Sequence, residues 1–331
     1  MSSISVRLPL GCAASLALSC QSAIAQITPG QATEIRNVIG NRVEALTILG
    51  ADFGLTGGTF RDTGHFTTGA SANAELTVTK FGGDGEIGDP QPLGTAPIGW
   101  QPRLQGSMGY VQAENHIVSV PFLQGDVSNF DQYAIEFGGG VRLWLTDKLS
   151  LAPTFMGIYG HTSNSYVANS AFMQQNLLLA TRLGLVNWAI DTWTIRPALN
   201  FQYIFTIERT IITLSSDPTF FHTESFNSSN AHFNVSGDSA FLSNTIDVDV
   251  PLRAQLFGHE LRSGGYLRVT ELYGGLKDGL AVTHLNEIHG RLVLDFLNQL
   301  WKVQWIGVGA SYVWGTDFSG WTAGADVTFR F

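Results

Sequence analysis

Along much of the chain, apolar and polar side chains alternate with a period of two. In residues 192–209, Trp193, Ile195, Pro197, Leu199, Phe201, Tyr203, Phe205 and Ile207 fall on one side, with Thr194, Arg196, Asn200, Gln202, Thr206 and Glu208 on the other. Successive side chains of a β-strand point to opposite faces, so this pattern predicts a strand with one greasy and one wet face. The apolar side extends over about fifteen residues, beyond the 5 or 6 of a usual soluble strand and enough for the 9 to 11 that cross a bilayer at a tilt.

The split recurs. Ile246, Val248, Val250, Leu252, Ala254 and Leu256 oppose Asp247, Asp249, Arg253 and Gln255, and Ile288, Leu292, Leu294 and Phe296 oppose Glu287, His289, Arg291 and Asp295. Tyr133, Ile135, Phe137, Val141, Leu143 and Leu145 oppose Gln132, Glu136 and Arg142. Charges of both signs thus sit repeatedly opposite the apolar face. In a sandwich they would meet solvent; in a small barrel they would line the lumen and pair across it.

Counting back from the end, strands are expected near 319–331, 301–314, 284–296, 265–276, 239–256, 192–208, 174–188, 149–163, 131–145, 106–121, 71–81 and 50–60. Tight connections at 146–148, 189–191 and 297–300 contrast with longer Ser/Asn/Thr/Gly-rich ones at 163–173, 209–237 and 277–284. Alternating short and long connections are the asymmetry of an outer-membrane barrel. Two places fit badly: residues 82–105 make a long Gly/Pro stretch where a short turn is expected, and Glu271 falls on the apolar register. A bulge or an extra short strand would accommodate either.

Ahead of the strands, Ile35, Val38, Ile39, Val43 and Leu46 follow helical spacing, with Glu34, Arg36, Asn37, Arg42 and Glu44 on the other side and Thr33 as a cap. Such a helix either plugs the lumen or rests on the mouth of the barrel. The expected fold class is an all-β membrane protein, an antiparallel transmembrane β-barrel of about twelve strands with a short N-terminal helix. Its expected divisions are a signal peptide at 1–25, a helix-bearing segment and possible lumen plug at 26–49, and the barrel at 50–331.

The signal peptide is read from Arg7, the apolar stretch Leu8–Leu18 and the Ala23-Ile24-Ala25 cleavage pattern before Gln26. Both cysteines, Cys12 and Cys20, lie within it, so the exported chain is expected to hold no disulfide and no cysteine metal site. Beyond it no run of 18 apolar residues predicts a membrane helix. A net charge of −9 without a basic cluster argues against nucleic acid as a partner. Only 14% of residues are charged, as expected when apolar side chains are spread at every second position.

Candidate chemistry is sparse. The eight histidines are scattered without HExxH or another close ligand spacing, so neither metal nor cofactor is expected. Gly138-Gly139-Gly140 lies inside a strand and reads as room for bending or close packing, not as a phosphate cradle. Candidate lumen residues are Glu136, Arg142, Arg182, Arg196, Asp247, Asp249, Arg253, Glu287, Arg291, Asp295 and Arg330. They suit a structural network that seals or lines the barrel, or a small diffusion pore with charge selectivity. One catalytic arrangement stands as an alternative. His161, Ser163 and Asn164 resemble the His-x-Ser-Asn core of outer-membrane phospholipase A, with His161 as base to a Ser163 nucleophile on the same strand face. The orienting amide expected on the next strand falls at Gln175 or Asn176, neither matching in both type and direction, and Ser165 stands where that family has a glycine.

The last strand, ending on Val327, Phe329 and Phe331, carries the nearest approach to a motif. With the signal peptide, the helix and the long amphipathic strands, it makes the chain resemble autotransporter translocator domains. Only a few residues separate the signal from the helix, so the resemblance is to solitary members that lack a passenger. The resemblance implies a barrel embedded in the outer-membrane bilayer with no catalytic role, and a terminal strand read by the barrel assembly machinery.

Overall fold

The computed structural model describes residues 29–51, 59–68, 74–93, 98–116, 123–300, 303–316 and 318–329. The expected signal peptide, Arg330 and Phe331 lie outside them. In chain order the elements are α1 Pro29–Gly50, β1 Thr59–Thr68, β2 Ala74–Glu86, β3 Gln91–Pro92, β4 Gly99–His116, β5 Val127–Trp144 and β6 Leu149–Val167. There follow α2 Ala171–Arg182, β7 Ala189–Ile207, β8 Thr210–Ser228, β9 Ser236–Leu256, β10 His259–Gly274, α3 Gly275–Leu280, β11 His284–Leu300, β12 Val303–Gly315 and β13 Phe318–Phe329.

Each long strand pairs antiparallel with its neighbour in sequence. The ring closes through β1 with β13, while β2 pairs directly with β4 past the two-residue β3. Twelve long strands thus form a barrel without a free side, which removes the row of unpaired backbone groups that an open sheet would present to lipid. Burial is inverted relative to a soluble domain. Phe137, Phe155, Leu267 and Val308 are exposed on the outside, whereas Gln132, Glu136, Thr162, Thr192 and Glu287 are buried inside. Exposed apolar and buried polar side chains on alternate positions of one strand are what a bilayer selects.

Several expected elements differ. Residues 174–188 form no strand: α2 occupies Ala171–Arg182, because Met173, Leu177 and Ala180 recur at helical spacing and the Ser170 side chain caps the helix by accepting from Met173 N. Residues 209–237 are not one loop but contain β8, whose Ser215, Ser216, Asp217 and Pro218 hide an otherwise alternating strand. These two errors cancel in the strand total. The first strand begins at Thr59, not at 50, because α1 continues to Gly50. The helix begins at Pro29, so Thr33 lies inside it and is not its N-cap. The 189–191 stretch belongs to β7 and residues 297–300 to β11, so neither is a turn.

Tight connections at 145–148, Glu208–Arg209 and Phe257–Gly258 share one end of the barrel. The opposite end carries the longer connections that contain α2 and α3. The Gly/Pro stretch at 82–105 is mostly strand; only residues 87–98 connect β2 to β4, and β3 pairs back onto the start of β4. Glu271 stays on the outer face, exposed, and accepts a 2.6 Å hydrogen bond from the Tyr273 hydroxyl.

Candidate functional site

The interior of the barrel is built around α1. Its first turns stand at the long-loop mouth, where Ala32 packs with Met173, Leu185 and Val186 around α2, and Arg36 Nη1 donates to Leu183 O at 3.2 Å. The second half descends into the lumen: Val43 through Leu49, together with Ala51, are all buried. Both sides of the helix are covered there, so Glu44, expected on the polar side, is as buried as Leu46. The wall and loops are shaped to it. A Cβ on Gly109 of β4 would overlap Gly50 O and stand 3.0 Å from Lys80 Cγ. One on Gly279 of α3 would overlap Asn41 O and stand 2.8 Å from Ala45 Cβ. Gly237 and Gly275 leave room for the Glu44 carboxylate, which accepts a 2.6 Å hydrogen bond from Ser239 Oγ. Ser239 Oγ in turn accepts from Leu276 N at 2.7 Å, tying α3 to α1 through one hydroxyl. At the lower end of the helix, Ser107 Oγ donates to Ala51 O at 3.0 Å. This meets a carbonyl that the helix cannot satisfy internally.

Below the helix the wall carries paired charges. Glu136 binds Arg196 across the sheet, with Ser107 Oγ 3.2 Å from its carboxylate. Arg142 donates to Glu86 Oε1 and Ser150 Oγ, each at 2.8 Å. Arg291 grips Asp247 with two hydrogen bonds of 2.7 and 2.8 Å, Asp249 pairs with Arg262, and Glu287 accepts from Tyr266 OH at 2.7 Å with Arg268 at 3.6 Å. Asp295 is buried on β11. Two of the candidate lumen residues lie elsewhere. Arg182 is exposed at the last turn of α2, and Arg253 is exposed at a register shift between β9 and β10 with φ of 56°. Val327 and Phe329 take their places in β13, paired with Ile306 and Val303.

The alternative catalytic arrangement is not assembled. His161 and Ser163 do face outward, but His161 Nδ1 bonds to Asp191 Oδ1 at 2.6 Å, and Asp191 also accepts from Tyr159 OH and Asn227 Nδ2. Gln175 and Asn176 belong to α2, where Asn176 Nδ2 donates to Phe172 O at 2.8 Å, so no orienting amide comes from a following strand. The sequence offered no sign of the residues that matter most at the mouth. Asp126 is fully buried between β4 and β5 and accepts from Asn169 N, Ser170 N, Ser170 Oγ and Tyr166 OH at 2.6 to 2.9 Å. Asp126→Ala is expected to leave four donors unmet and free α2 from the rim. Limited proteolysis checks this, with faster cleavage between residues 168 and 187 and an unchanged barrel core.

Twelve closed strands, an inner helix and an outward apolar band define an outer-membrane β-barrel of the autotransporter type. Residues 92–323, more than two thirds of the chain, match the solitary outer membrane autotransporter beta-barrel domain family, and the chain belongs to that family. Among solved structures it is similar to the β domain of the Bordetella autotransporter BrkA, at 12% identity over 82% of this chain and 97% of that one, with a TM-score of 0.53. It is likewise similar to the transport unit of AIDA-I from Escherichia coli, at 11% identity over 89% and 99%, and to the translocator domain of NalP from Neisseria meningitidis, at 11% identity over 93% and 100%, each with a TM-score of 0.53. At such identity the likeness speaks for the fold. No curated protein matches the chain.

Proposed function

We propose that this protein is a sealed structural barrel of the outer membrane, without catalysis, in which α1 closes the lumen. The observation that carries the reading is the fit of glycines on β4, β9 and α3 against the backbone and carboxylate of α1, a fit with no use unless the helix stays seated. The charge pairs beneath it neutralise one another, as a supporting network does and as a selective pore, whose charges face passing ions, does not. In this reading residues 1–25 are the cleaved export signal, and the membrane lipid is the principal partner. The assembly machinery recognises the terminal strand through Val327, Phe329 and Phe331.

Single-channel conductance of residues 26–331, beside a version beginning at Asp52, tests the closure. The longer chain is expected to stay electrically silent and the shorter one to conduct. Equal conductance from both would refute the seal and favour a small diffusion pore, the second reading, with its selectivity set by the lumen charges.

A further inference from the structure

The tip of the β9–β10 hairpin departs from the rest of the barrel. The ladder between β8 and β9 starts at Ile211 opposite Asp249, yet β9 runs on to Leu256, so the hairpin overhangs its neighbour at the short-turn end. Two side chains along this overhang sit on backbone that only glycine adopts freely. Arg253 has φ of 56° where the register slips between Leu261 and Arg262, and Phe257 has φ of 54° before Gly258 at 81°. A two-residue turn of this kind is served by Asn-Gly or Asp-Gly; a bulky aromatic in its first position is strained. Strain that is retained points to a use for the side chain. Phe257 is 85% exposed, the most exposed large apolar side chain among the described residues, and Arg253 is exposed as well.

We infer that this tip is a membrane anchor, with Phe257 inserted at the water–lipid boundary and Arg253 paired with a lipid phosphate. The occupant follows from proximity. Ile246, Val250, Leu252 and Leu256 are exposed down the outer face of β9 as far as the last rung, His259 opposite Leu256, and Phe257 is the next residue in the chain, at the edge of that lipid-facing column. Depth follows from the backbone. The stretch of β9 beyond β8 offers hydrogen-bonding groups that hydrocarbon cannot satisfy, so the overhang lies in the wet headgroup layer. Aromatic rings prefer that layer, and a guanidinium meets phosphate there with two parallel hydrogen bonds. The ring of His259 lies 4.1 Å from that of Phe296, bracing the base of the hairpin so that the tip is presented rigidly. The inference stands whether or not α1 seals the lumen.

The exported chain as expected from the sequence, residues 26–331, contains no cysteine, so single probes are simple to place. Phe257→Cys and, as a control in the β5–β6 turn, Asp147→Cys are labelled with an environment-sensitive dye. Both proteins are refolded into vesicles of equal parts phosphatidylcholine and phosphatidylglycerol. The probe at 257 is expected to be quenched several-fold less by aqueous iodide than the probe at 147, and more by headgroup-labelled lipid. Equal iodide quenching at both sites overturns the anchor and leaves the tip as a docking point for a periplasmic protein. Phe257→Asn supplies a second arm without a probe. If the turn is merely strained, Asn-Gly raises the temperature at which the folded band is lost on gels, in any lipid, and the proposal fails. If Phe257 anchors, that temperature falls, and Arg253→Asn abolishes the difference between vesicles with and without phosphatidylglycerol.

Discussion

Gly109→Val is expected to make the barrel conduct. The new side chain grows from the wall into the lumen, where its first carbon overlaps Gly50 O and stands 3.1 Å from Gly50 C. Those are backbone atoms at the end of a helix, held by the bond from Ser107 Oγ to Ala51 O, so no rotamer change relieves the clash. Lys80 Cγ at 3.0 Å closes the remaining direction. Overpacking a filled interior costs about 1–3 kcal/mol. The wall is stitched by long ladders on both sides of β4, whereas the lower end of α1 is held by side-chain contacts and one capping bond, so the helix gives way first. The expected result is conductance approaching that of the chain beginning at Asp52, while the folded band on unheated gels persists. Gly290→Val is the control: nothing stands within 4 Å of its Cβ, and the barrel should remain silent. A silent Gly109→Val barrel that retains its heat resistance would sink the idea that this glycine seats the helix.

Glu136→Leu should cause the largest single loss of stability. Arg196 is buried opposite it on β7, with its guanidinium also over the Phe221 ring at 5.9 Å. Removing one partner of a buried pair strands the other charge, at about 3–5 kcal/mol. Replacing both with apolar residues of similar size is often neutral, so the double variant Glu136→Leu, Arg196→Leu should recover most of the loss. Urea midpoints of the refolded proteins in detergent micelles measure both. A double variant no more stable than the single one would mean that the pair serves something other than its own neutralisation.

The sequence made the outer wall legible because lipid imposes one rule on every strand: apolar at each second position, whatever the identity. Thus β5, β7, β9 and β11 stand where Tyr133, Phe201, Val248 and Leu292 place them. Where the outward residues are themselves polar the rule goes silent. Ser216 and Pro218 break the outward run of β8, while the continuous Leu177-Leu178-Leu179-Ala180 run lies inside the strand expected at 174–188, although its period is helical. The interior was legible in kind but not in partner. Alternation put Glu136, Asp247 and Arg291 inside, yet which carboxylate meets which guanidinium depends on register and tilt, neither of which is written locally. Glu44 shows the limit. Helical spacing placed it on a polar face, and only a surrounding wall makes that face an interior one.

The pairing of β1 with β13 sets Thr59 opposite Asp326, joining nearly the two ends of the chain. Contacts so distant in sequence are the slowest to form, because almost the whole chain must be ordered before they repay their loop-closure entropy. The final seam therefore waits until β13 is in place beside β1. Until it is made, the half-rolled sheet offers two bare edges to any other strand. Order of events matters for α1 too: it precedes β1 in the chain, so a helix that collapses against β4 and β6 early draws the first edge toward the position the last strand must reach. The same helix that fills the finished barrel would then act as a mandrel for rolling it, and its removal should slow folding even where it leaves the folded wall intact.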